Sequence, residues 1–386
     1  MVIMNKSNQY EKHHSFSSFY SNHDVEVIEK QLARAKSVLS KFCVNNLTSK
    51  YTPIYKVILD DLKTEKSEFP FKITSFIADE MATINNFDLP RYLYHRYRYD
   101  IYPQKKTLDD YPPYLQIEPT SVCNFRCVFC YQTDNSFNKK QNGFMGNMRL
   151  DTYKSIVDQI EGNVEFLSLA SRGEPLLCKE LSAMLEYSIG KFLNLKVNTN
   201  ASLLTEKLCH DLLNGAVQTL VFSADAAEEP LYSKMRVNGK LDKVLSNIEM
   251  FQTIKEKHYS HSRIITRVSG VMFDDKQSME SMINLWSDLV DQISFVKYNP
   301  WENIYSSEAN DVSLPCSDLW RRMFVWYDGK VNPCDTDYKS TLSFCNLDEK
   351  HTVSRIWKSI EYNALREKHL SENRSGIEPC RRCIVV

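Results

Sequence analysis

Apolar residues recur at helical spacing through most of the first hundred residues. Ile28, Leu32 and Ala35 are three or four residues apart, so they fall on one face of an amphipathic helix. The same spacing predicts two further helices, over about residues 53–64 and 73–86. The pattern predicts a helical accessory region in front of the central part of the chain.

The two ends of this first region read differently. Residues 1 to about 22 are polar and rich in Ser, Asn and His, which predicts a loose tail. Arginines and tyrosines alternate from Arg91 to Tyr99, which favours a helix whose rings pack on the next domain while its arginines stay in solvent. Binding of a phosphate or a base by the same side chains is the alternative. We assign residues 1–110 to this tail and helical region.

Strand-like and helical patterns alternate through the centre of the chain. The strand-like runs are residues 114–118, 164–169, 194–198, 219–223, 264–272 and 293–298. Strands that alternate with helices predict a parallel α/β sheet with right-handed crossovers. We assign residues 111–305 to this domain and residues 306–386, where the pattern changes, to a small C-terminal domain.

Composition excludes few functions but favours one compartment. The 386 residues are 42% hydrophobic and 25% charged, with a net charge of −1, which is typical of a globular protein and gives no reason to expect nucleic acid or an anionic membrane as partner. The sequence has neither an apolar run of about 20 residues nor the apolar core of a signal peptide. We therefore expect a cytoplasmic protein whose eleven cysteines bind metal rather than form disulfides.

Three closely spaced cysteines follow the first predicted strand. Cys123, Cys127 and Cys130 have C-x3-C-x2-C spacing, and a curled loop would direct three thiolates at one centre. A structural zinc site needs a fourth protein ligand, whereas iron–sulfur clusters are often held by local cysteine runs. The spacing predicts a [4Fe–4S] cluster with one iron open to a ligand that is not protein.

Four more cysteines lie near the end of the chain. Seventeen residues separate Cys316 from Cys334, and Cys380 and Cys383 form a C-x2-C pair. The segment before Cys334 predicts a hairpin that turns at Asp328-Gly329. Four thiolates suit either zinc or a fully ligated [4Fe–4S] cluster, although the long first spacing is not that of a zinc knuckle.

A strand that runs into C-x3-C-x2-C, with the aromatic Phe129 before the last cysteine, resembles the radical S-adenosylmethionine (SAM) enzymes. This resemblance implies a partial (β/α)6 barrel that is open on one side. It also implies that SAM occupies the open iron and yields a 5′-deoxyadenosyl radical when an electron donor such as flavodoxin or ferredoxin reduces the cluster. Phe129 would contact the cofactor.

Motifs after the next strands resemble the SAM-binding segments of that family. Ser171-Arg172-Gly173-Glu174-Pro175 is similar to the glycine-glutamate-proline segment that holds the SAM amino group, with Arg172 in place of a first glycine. Later strand ends carry an asparagine at the expected ribose contact, and a hydroxyl, a carboxylate and a guanidinium near the expected carboxylate contact. The resemblance assigns SAM binding to Gly173, Glu174, Asn200, Ser223, Asp225 and Arg236.

The C-terminal cysteine pattern resembles the SPASM auxiliary-cluster domain. Cys316-x12-Gly329-x4-Cys334 is similar to the opening of that domain, whose full set has seven cysteines. Here the motif stops at Cys380-x2-Cys383, as in the shortened twitch variant with one auxiliary cluster. The resemblances together imply two [4Fe–4S] clusters and SAM as cofactors.

Three functions are compatible with these motifs. Similar twitch-type enzymes oxidise or epimerise sugars and aminocyclitols, which implies a small, carbohydrate-like substrate. Many SPASM enzymes instead mature ribosomally made peptides, commonly with a winged-helix-like peptide-binding domain that residues 1–110 do not resemble. A zinc-stapled binding protein without catalysis is the third hypothesis.

Three further residues are candidates for catalysis. Arg267 lies between apolar neighbours in a predicted strand, where a buried charge needs a partner such as a substrate anion or a structural carboxylate. Glu302 follows the sixth strand, where substrate contacts are expected. Cys345 is left over from the auxiliary motif, and its thiol is either a hydrogen-atom donor in an epimerase or a small buried side chain.

Overall fold

The computed structural model describes most of the chain. The described residues are 9–11, 16–21, 25–46, 48–64 and 66–386. Within them the strands are β1 (Phe16–Ser21), β2 (Tyr114–Ile117), β3 (Arg126–Cys127), β4 (Phe166–Leu169), β5 (Asn194–Thr199), β6 (Thr219–Ser223), β7 (Arg236–Val237), β8 (Ile265–Met272), β9 (Gln292–Lys297), β10 (Arg322–Val325), β11 (Lys330–Asn332) and β12 (Cys345–Asn346). The α-helices are α1 (Val25–Asn45), α2 (Thr52–Thr64), α3 (Ser75–Thr83), α4 (Leu89–Asp100), α5 (Tyr102–Lys105), α6 (Leu150–Ile160), α7 (Leu181–Tyr187), α8 (Glu206–Leu213), α9 (Leu231–Met235), α10 (Leu241–His258), α11 (Met279–Trp286), α12 (Val353–Trp357) and α13 (Ile360–Leu370).

Six parallel strands form the middle of one large sheet. β2, β4, β5, β6, β8 and β9 lie side by side in chain order, each within two residues of its predicted bounds. The prediction of a parallel α/β domain is confirmed. Within the described residues the edges of the sheet, β1 and β12, do not pair with each other, so the barrel is partial and not closed.

The three helices predicted before the barrel are confirmed as α1, α2 and α3. They enclose a core of their own, which includes Leu39, Ile58 and Met81. Tyr114 and Phe166, at the first positions of β2 and β4, belong to the same core. The helical region therefore covers the amino ends of the barrel strands. No helix among the described residues is long and apolar enough to cross a membrane.

Part of the predicted loose tail is an ordered strand. Residues 16–21 form β1, which pairs antiparallel with β9 and extends the barrel sheet at one edge. The prediction failed because the polar composition masked the rings of Phe16 and Phe19, which are three residues apart and both contact Phe76 of α3. Of the rest of the tail, residues 1–8, 12–15 and 22 lie outside the described residues.

Of the three arginines of α4, Arg91 is exposed as predicted but the other two are not. Arg96 and Arg98 are buried, and Arg96 pairs with Asp100 at 3.0 Å. The ring of His95 stacks on Phe166 of β4 with centroids 3.8 Å apart, so the expected packing of the rings on the next domain is present. Burial of both faces makes α4 the joint between the helical region and the barrel.

The C-terminal residues continue the barrel sheet. β10 pairs parallel with β2, and β11 and β12 follow as antiparallel strands. The hairpin predicted at Asp328-Gly329 is present, and Gly329 has a φ of +80° that favours glycine at the turn. The sheet thus crosses the predicted domain boundary at residue 305.

Candidate active site

A cavity of about 400 Å³ opens where the carboxyl ends of the barrel strands meet. In α/β barrels this edge carries the chemistry, because the loops that follow the strands converge there. The predicted site residues that line it are Cys123, Cys127, Phe129, Cys130, Gly173, Glu174, Asn200, Ser223, Arg236 and Arg267. The fold therefore brings together residues that are up to 144 positions apart in the sequence.

Hydrogen bonds between residues close in sequence hold the cysteine loop in a curled conformation. The amide of Cys130 donates to the carbonyl of Cys127 at 3.0 Å, and the amide of Phe125 donates to the Cys123 sulfur at 3.4 Å. The loop is anchored from outside by β3, which pairs with β7 so that Cys127 lies opposite Arg236. This arrangement turns all three thiols into one cavity, as the spacing predicts.

The environment of these thiols fits an iron–sulfur cluster. Burial raises the pKa of Cys123 to about 12 and also raises the pKa of Cys127 and Cys130, so free thiolates are disfavoured. Cationic iron in place of the protons would remove that cost. In the described part of the chain no three His, Cys, Asp or Glu side chains lie close enough to share a single metal ion. Each thiolate of a four-iron cluster binds a separate iron, which is compatible with that wider spacing.

Glu174 is fixed at the end of β4 by three donors. Its carboxylate accepts from the amide of Leu176 at 3.1 Å, the hydroxyl of Thr199 at 2.6 Å and the amide of Asn200 at 2.7 Å. Burial raises the pKa of this carboxyl. A carboxylate accepts up to about four hydrogen bonds, so one position stays available to an ammonium in the cavity.

Gly173 allows the cluster loop to pack on the segment after β4. A Cβ atom at this position would lie 2.3 Å from the carbonyl oxygen of Thr120 and 2.5 Å from that of Val122. Those carbonyls precede Cys123 directly, and the amide of Glu174 donates to the Val122 carbonyl at 2.8 Å. The absence of a side chain at residue 173 therefore sets the distance between Glu174 and the cysteine loop.

Asn200 has a structural role as well as the predicted contact. Its side-chain amide donates to Asn124 at 3.0 Å, and its carbonyl oxygen accepts from the hydroxyl of Ser202 at 2.7 Å. Asn124 lies between the first two cysteines, so this network ties the end of β5 to the cluster loop.

Asp225 and Arg236 form a buried ion pair beside the cluster loop. The Arg236 Nε lies 2.5 Å from Asp225, and its Nη1 lies 3.8 Å from the sulfur of Cys127. The second oxygen of Asp225 accepts from the amide of Val271 at 2.6 Å. Asp225 does not line the cavity, so its effect on a ligand there passes through Arg236.

Unpartnered polar atoms line the same cavity. The hydroxyl of Ser171 and the amide oxygen of Asn198 are buried without a hydrogen-bond partner among the described residues. An unmet buried polar atom costs about 1–3 kcal/mol, so a polar ligand that bonds to both would be favoured. With the ring of Phe129 nearby, the lining fits SAM, which combines hydroxyl, charged and aromatic groups.

The four C-terminal cysteines converge as a second set. Burial and Asp335 raise the pKa of Cys334 well above its ordinary value, and repulsion from Cys383, Cys316 and Cys380 raises it further. Arg374 donates to the carbonyls of Cys383 at 2.6 Å and Cys380 at 3.2 Å, which fixes the C-x2-C turn. Four neighbouring thiols, of buried Cys316 and Cys383 and half-buried Cys334 and Cys380, fit a cluster with a complete protein ligand set.

Comparison with known families agrees with both cysteine sets. The profile of the Radical SAM superfamily matches residues 117–270, and that of SPASM, an iron–sulfur cluster-binding domain, matches residues 316–384. The chain belongs to the radical SAM superfamily. As a radical SAM protein with a C-terminal SPASM domain, it has SAM and [4Fe–4S] clusters as cofactors.

Individual relatives are distant. A GTP 3′,8-cyclase from Clostridium botulinum is 24% identical over 190 residues, which are 48% of this chain and 56% of the cyclase. This radical SAM chain thus spans little more than half of the cyclase's length. Two solved structures share its fold: SuiB from Streptococcus suis bound to its precursor peptide SuiA (TM-score 0.54, 15% identity, 86% of this chain and 83% of SuiB) and anSMEcpe with bound AdoMet (TM-score 0.50, 16% identity, 70% of this chain and 88% of anSMEcpe).

Arg172 of this radical SAM protein borders the cavity, but Glu118 and Tyr338 bind its guanidinium. Its Nε and Nη2 each lie 2.6 Å from a carboxylate oxygen of Glu118, and its Nη1 donates to the carbonyl of Tyr338 at 2.8 Å. The guanidinium stacks over Trp326 at 4.3 Å. The residue that replaces the motif's first glycine therefore joins the barrel to the SPASM region.

Two of the three predicted catalytic residues lie around the barrel interior. Arg267, on β8, lines the cavity and donates from Nε and Nη2 to the side-chain oxygen of Gln292 at 2.8 and 2.7 Å. Glu302 accepts from the hydroxyl of Tyr298, and its other carboxylate oxygen is buried without a hydrogen-bond partner among the described residues. Its neighbour Trp301 donates to the carbonyl of Phe129 at 2.7 Å, which places Glu302 beside the cluster loop but not on the cavity wall.

Cys345 is separated from these residues. It lies on β12 at the outer edge of the sheet, paired with Val331 of β11, and it does not line the barrel cavity. Burial and the nearby carboxylates of Glu361 and Asp348 raise the pKa of its thiol. The geometry agrees with the hypothesis of a small packed side chain better than with a donor to a radical in the barrel.

The sequence contained a signal for site residues that were missed. Parallel strands buried on both faces are usually continuous apolar runs. Here polar residues occupy alternate positions, namely Gln116 and Glu118 in the run 114–118 and Lys196 and Asn198 in the run 194–198. Alternation in a buried parallel strand indicates that one face lines a polar cavity. All four face the barrel interior or the SPASM region.

Proposed function

We propose that this protein is a radical SAM enzyme that abstracts a hydrogen atom from an alcohol carbon of a small, carbohydrate-like molecule and so oxidises or epimerises it. The observation that carries the proposal is the single cavity that holds three cluster cysteines, the predicted SAM contacts and an unfilled polar barrel interior. When bound, SAM and the reduced cluster supply a 5′-deoxyadenosyl radical as the hydrogen acceptor.

The residues of the cavity have separate tasks in this proposal. Glu174 would accept from the amino group of SAM, because its carboxylate is held in place and keeps one free acceptor position. Arg236 would attract the SAM carboxylate, and Asp225 orients Arg236 through the 2.5 Å ion pair. Asn200 lines the cavity where ribose hydroxyls would bind, and Ser223 lines it where its hydroxyl could contact the SAM carboxylate.

The second cysteine set would hold an auxiliary cluster without an open iron. Such a cluster would accept an electron rather than coordinate the substrate, which suits removal of the electron from the carbon radical that hydrogen abstraction leaves. The hairpin of β10 and β11 and the Arg172–Glu118 pair connect this set to the barrel. Because the second cysteine set is joined to the barrel by a continuous sheet, this connection supports a role of its cluster in oxidising the substrate.

The N-terminal region favours a small molecule over a peptide. In the described part of residues 1–110 the one strand, β1, pairs with β9 of the barrel, and the remaining elements are helices. A winged-helix-like peptide-binding domain needs strands of its own. This region instead closes the amino end of the barrel, which supports a substrate small enough to be enclosed.

The first test is reductive cleavage of SAM. Anaerobically purified protein, reconstituted with iron and sulfide and reduced by dithionite or flavodoxin, should convert SAM to 5′-deoxyadenosine, measured by mass spectrometry. Cys123→Ala, Cys127→Ala and Cys130→Ala should each abolish the product. Formation of 5′-deoxyadenosine by these variants would refute the proposal in favour of another cofactor. Zinc without sulfide in the wild type would refute it in favour of a binding protein.

The second test identifies the substrate class. Sugars, aminocyclitols and short peptides encoded near the gene are each incubated with the reduced enzyme, and substrate-dependent 5′-deoxyadenosine is measured. Stimulation by a sugar or aminocyclitol, with transfer of its deuterium to 5′-deoxyadenosine, is expected. Modification of a peptide instead would establish the peptide maturase hypothesis.

A further inference from the structure

The barrel interior contains cations in excess of the carboxylates that could neutralise them. Lys196 of β5, Arg267 of β8 and Arg322 at the start of β10 line the cavity at the carboxyl end of the strands. The same three residues, with Phe16, also line a second cavity of about 660 Å³ towards the amino end, under the helical region. The two spaces meet at these cationic side chains.

Lys196 has no counterion among the described residues. Its amine makes no hydrogen bond or ion pair to a described residue, and its nearest aromatic contact is the ring of Tyr114 at 5.7 Å. Burial, with Arg322 and Arg267 nearby, lowers the pKa of this amine to about 7. A lysine in this position is costly unless a ligand supplies negative charge.

Arg267 has only a neutral partner. Its hydrogen bonds go to the amide oxygen of Gln292, and its guanidinium lies 4.7 Å from the centre of the Phe76 ring. The closest carboxylates are engaged elsewhere, since Glu80 accepts from Tyr92 at 2.7 Å and Asp79 accepts from Gln292 at 2.6 Å. No carboxylate within the described residues forms an ion pair with Arg267.

A neutral donor completes the set. Thr219, the first residue of β6, lies opposite Lys196 in the register between β5 and β6. Its side chain is 2% exposed, lines the second cavity, and has a hydroxyl with no hydrogen-bond partner among the described residues. Arg322 is less available, because it donates to the hydroxyl of Tyr99 and lies 3.9 Å from Asp318.

We propose that Lys196, Arg267 and Thr219 form a binding site for an oxyanionic group, a phosphate ester or a carboxylate, inside the barrel. An ammonium, a guanidinium fork and a hydroxyl are complementary to such a group, and the surrounding protein excludes water. The site lies deeper in the barrel than the cluster loop, so a ligand held there would extend its remainder towards the SAM pocket. This inference rests on the proposed function: the oxyanionic group belongs to the substrate, which is therefore an anionic small molecule.

The binding step can be measured without turnover. Cluster-loaded, full-length protein is melted anaerobically in inorganic phosphate, malonate or chloride at constant ionic strength, so that general charge screening is the same in each. A ligand that binds only the folded state raises Tm in proportion to the logarithm of its concentration over its Kd. We expect phosphate or malonate, but not chloride, to raise Tm, and the stronger of the two identifies the oxyanion.

The Lys196→Met substitution tests whether Lys196 binds the anion or has only a structural role. Removal of an unpaired buried cation should raise Tm in chloride while anion affinity falls about 10- to 100-fold. Lys196→Arg keeps the charge and should retain the anion response, and Lys243→Gln on the exposed face of α10 should leave both quantities unchanged. If Lys196→Met does not fold, Thr219→Val serves as the second variant, with an affinity about 2- to 10-fold lower.

The outcomes distinguish this site from the SAM pocket. With saturating SAM present, the phosphate or malonate response should persist, because the two ligands bind different residues. Loss of the response in SAM, its absence from the wild type, or its full retention in Lys196→Met would overturn the proposal. A protein that fails to cleave SAM but keeps the anion response would instead contradict the proposed function alone.

Discussion

At the scale of single residues, the buried ion pair of Glu118 and Arg172 links the barrel to the SPASM region. Both side chains are buried, and the paired atoms lie 2.6 Å apart. Arg172 also binds the carbonyl of Tyr338, and Glu118 accepts from the amide of Tyr327 at 3.3 Å. The pair therefore connects the ends of β2 and β4 to the SPASM region through charged hydrogen bonds.

We expect Glu118→Gln to lower the free energy of unfolding by about 3–5 kcal/mol, because it leaves a buried guanidinium without its counterion. Urea unfolding of the reconstituted protein measures the loss. The control is Lys207→Met, which breaks an ion pair with Asp211 on the exposed side of α8 and should cost no more than about 1 kcal/mol. Equal effects of the two substitutions would contradict a special role for the buried pair.

Gly173→Ala should disturb the cluster loop more than the overall fold. The added Cβ would meet two backbone carbonyls at 2.3 and 2.5 Å, which cannot move without shifting the residues before Cys123. We expect weaker SAM binding and a loss of up to about four irons per chain, that is, of one cluster. Iron, sulfide and equilibrium SAM binding are the measurements.

Gly376→Ala is the matched control for that substitution. A Cβ at Gly376 meets no atom within 4 Å, so the same methyl group enters open space. Unchanged iron content and SAM affinity in both variants would mean that the approach at Gly173 is not needed for the site.

At the scale of elements, α4 determines how the helical region sits on the barrel. His95, which is 1% exposed, stacks on Phe166, and burial together with Arg96 and Arg98 holds its pKa well below the usual value. The imidazole is therefore neutral in the folded protein. Because the unfolded chain binds a proton near pH 6.5 and the folded chain does not, acid favours unfolding.

The expected result is a pH-dependent difference between the wild type and His95→Phe. The lowered pKa of His95 stabilises the folded state fully above about pH 6.5, and this stabilisation is lost as the pH falls. Between pH 7.5 and pH 5.0 the wild type should lose about 2 kcal/mol more than the variant, measured by urea unfolding at each pH. Parallel losses would show that His95 is protonated in the folded protein.

At the scale of the whole molecule, two cysteine sets divide the chemistry. The first three thiols share the barrel cavity with the SAM contacts, and the second four are joined to the barrel by the continuing sheet. In the proposed function, the first set serves generation of the radical and the second serves removal of an electron. The arrangement also allows each set to be removed on its own.

Cys334→Ala should reduce the iron content from about eight to about four per chain while 5′-deoxyadenosine is still formed. Turnover of substrate should then stop, because the auxiliary acceptor is missing. Cys209→Ala, a buried cysteine of α8 outside both sets, should keep the iron and both activities. Normal turnover in Cys334→Ala would contradict an electron-transfer role for the second set.

Much of the architecture was predictable because its signals are local. The period of apolar residues identifies the six parallel strands of the barrel and the helices α1, α2 and α3, and parallel order follows from the alternation of strands with helices. The cysteine spacings place ligands within one loop or one turn, so Cys123, Cys127 and Cys130 could be assigned before any tertiary contact was known. The motifs at Gly173, Glu174 and Arg236 were assigned by their resemblance to SAM-binding segments, and the structure shows that they line one cavity.

Long-range pairing and burial were decided only by the tertiary structure. Residues 16–21 are polar enough to predict a tail, yet the free edge of β9 makes them a strand. The sequence does not show that Arg172 meets Glu118, or that Lys196 and Arg267 converge without an ion pair to a described carboxylate, because strand register and the curvature of the sheet bring them together. It likewise left open whether Cys345 is a hydrogen-atom donor or a packed side chain, and only the sheet shows that it lies on the edge strand. A charge's partner and its exposure are properties of the packed molecule, and local spacing does not encode them.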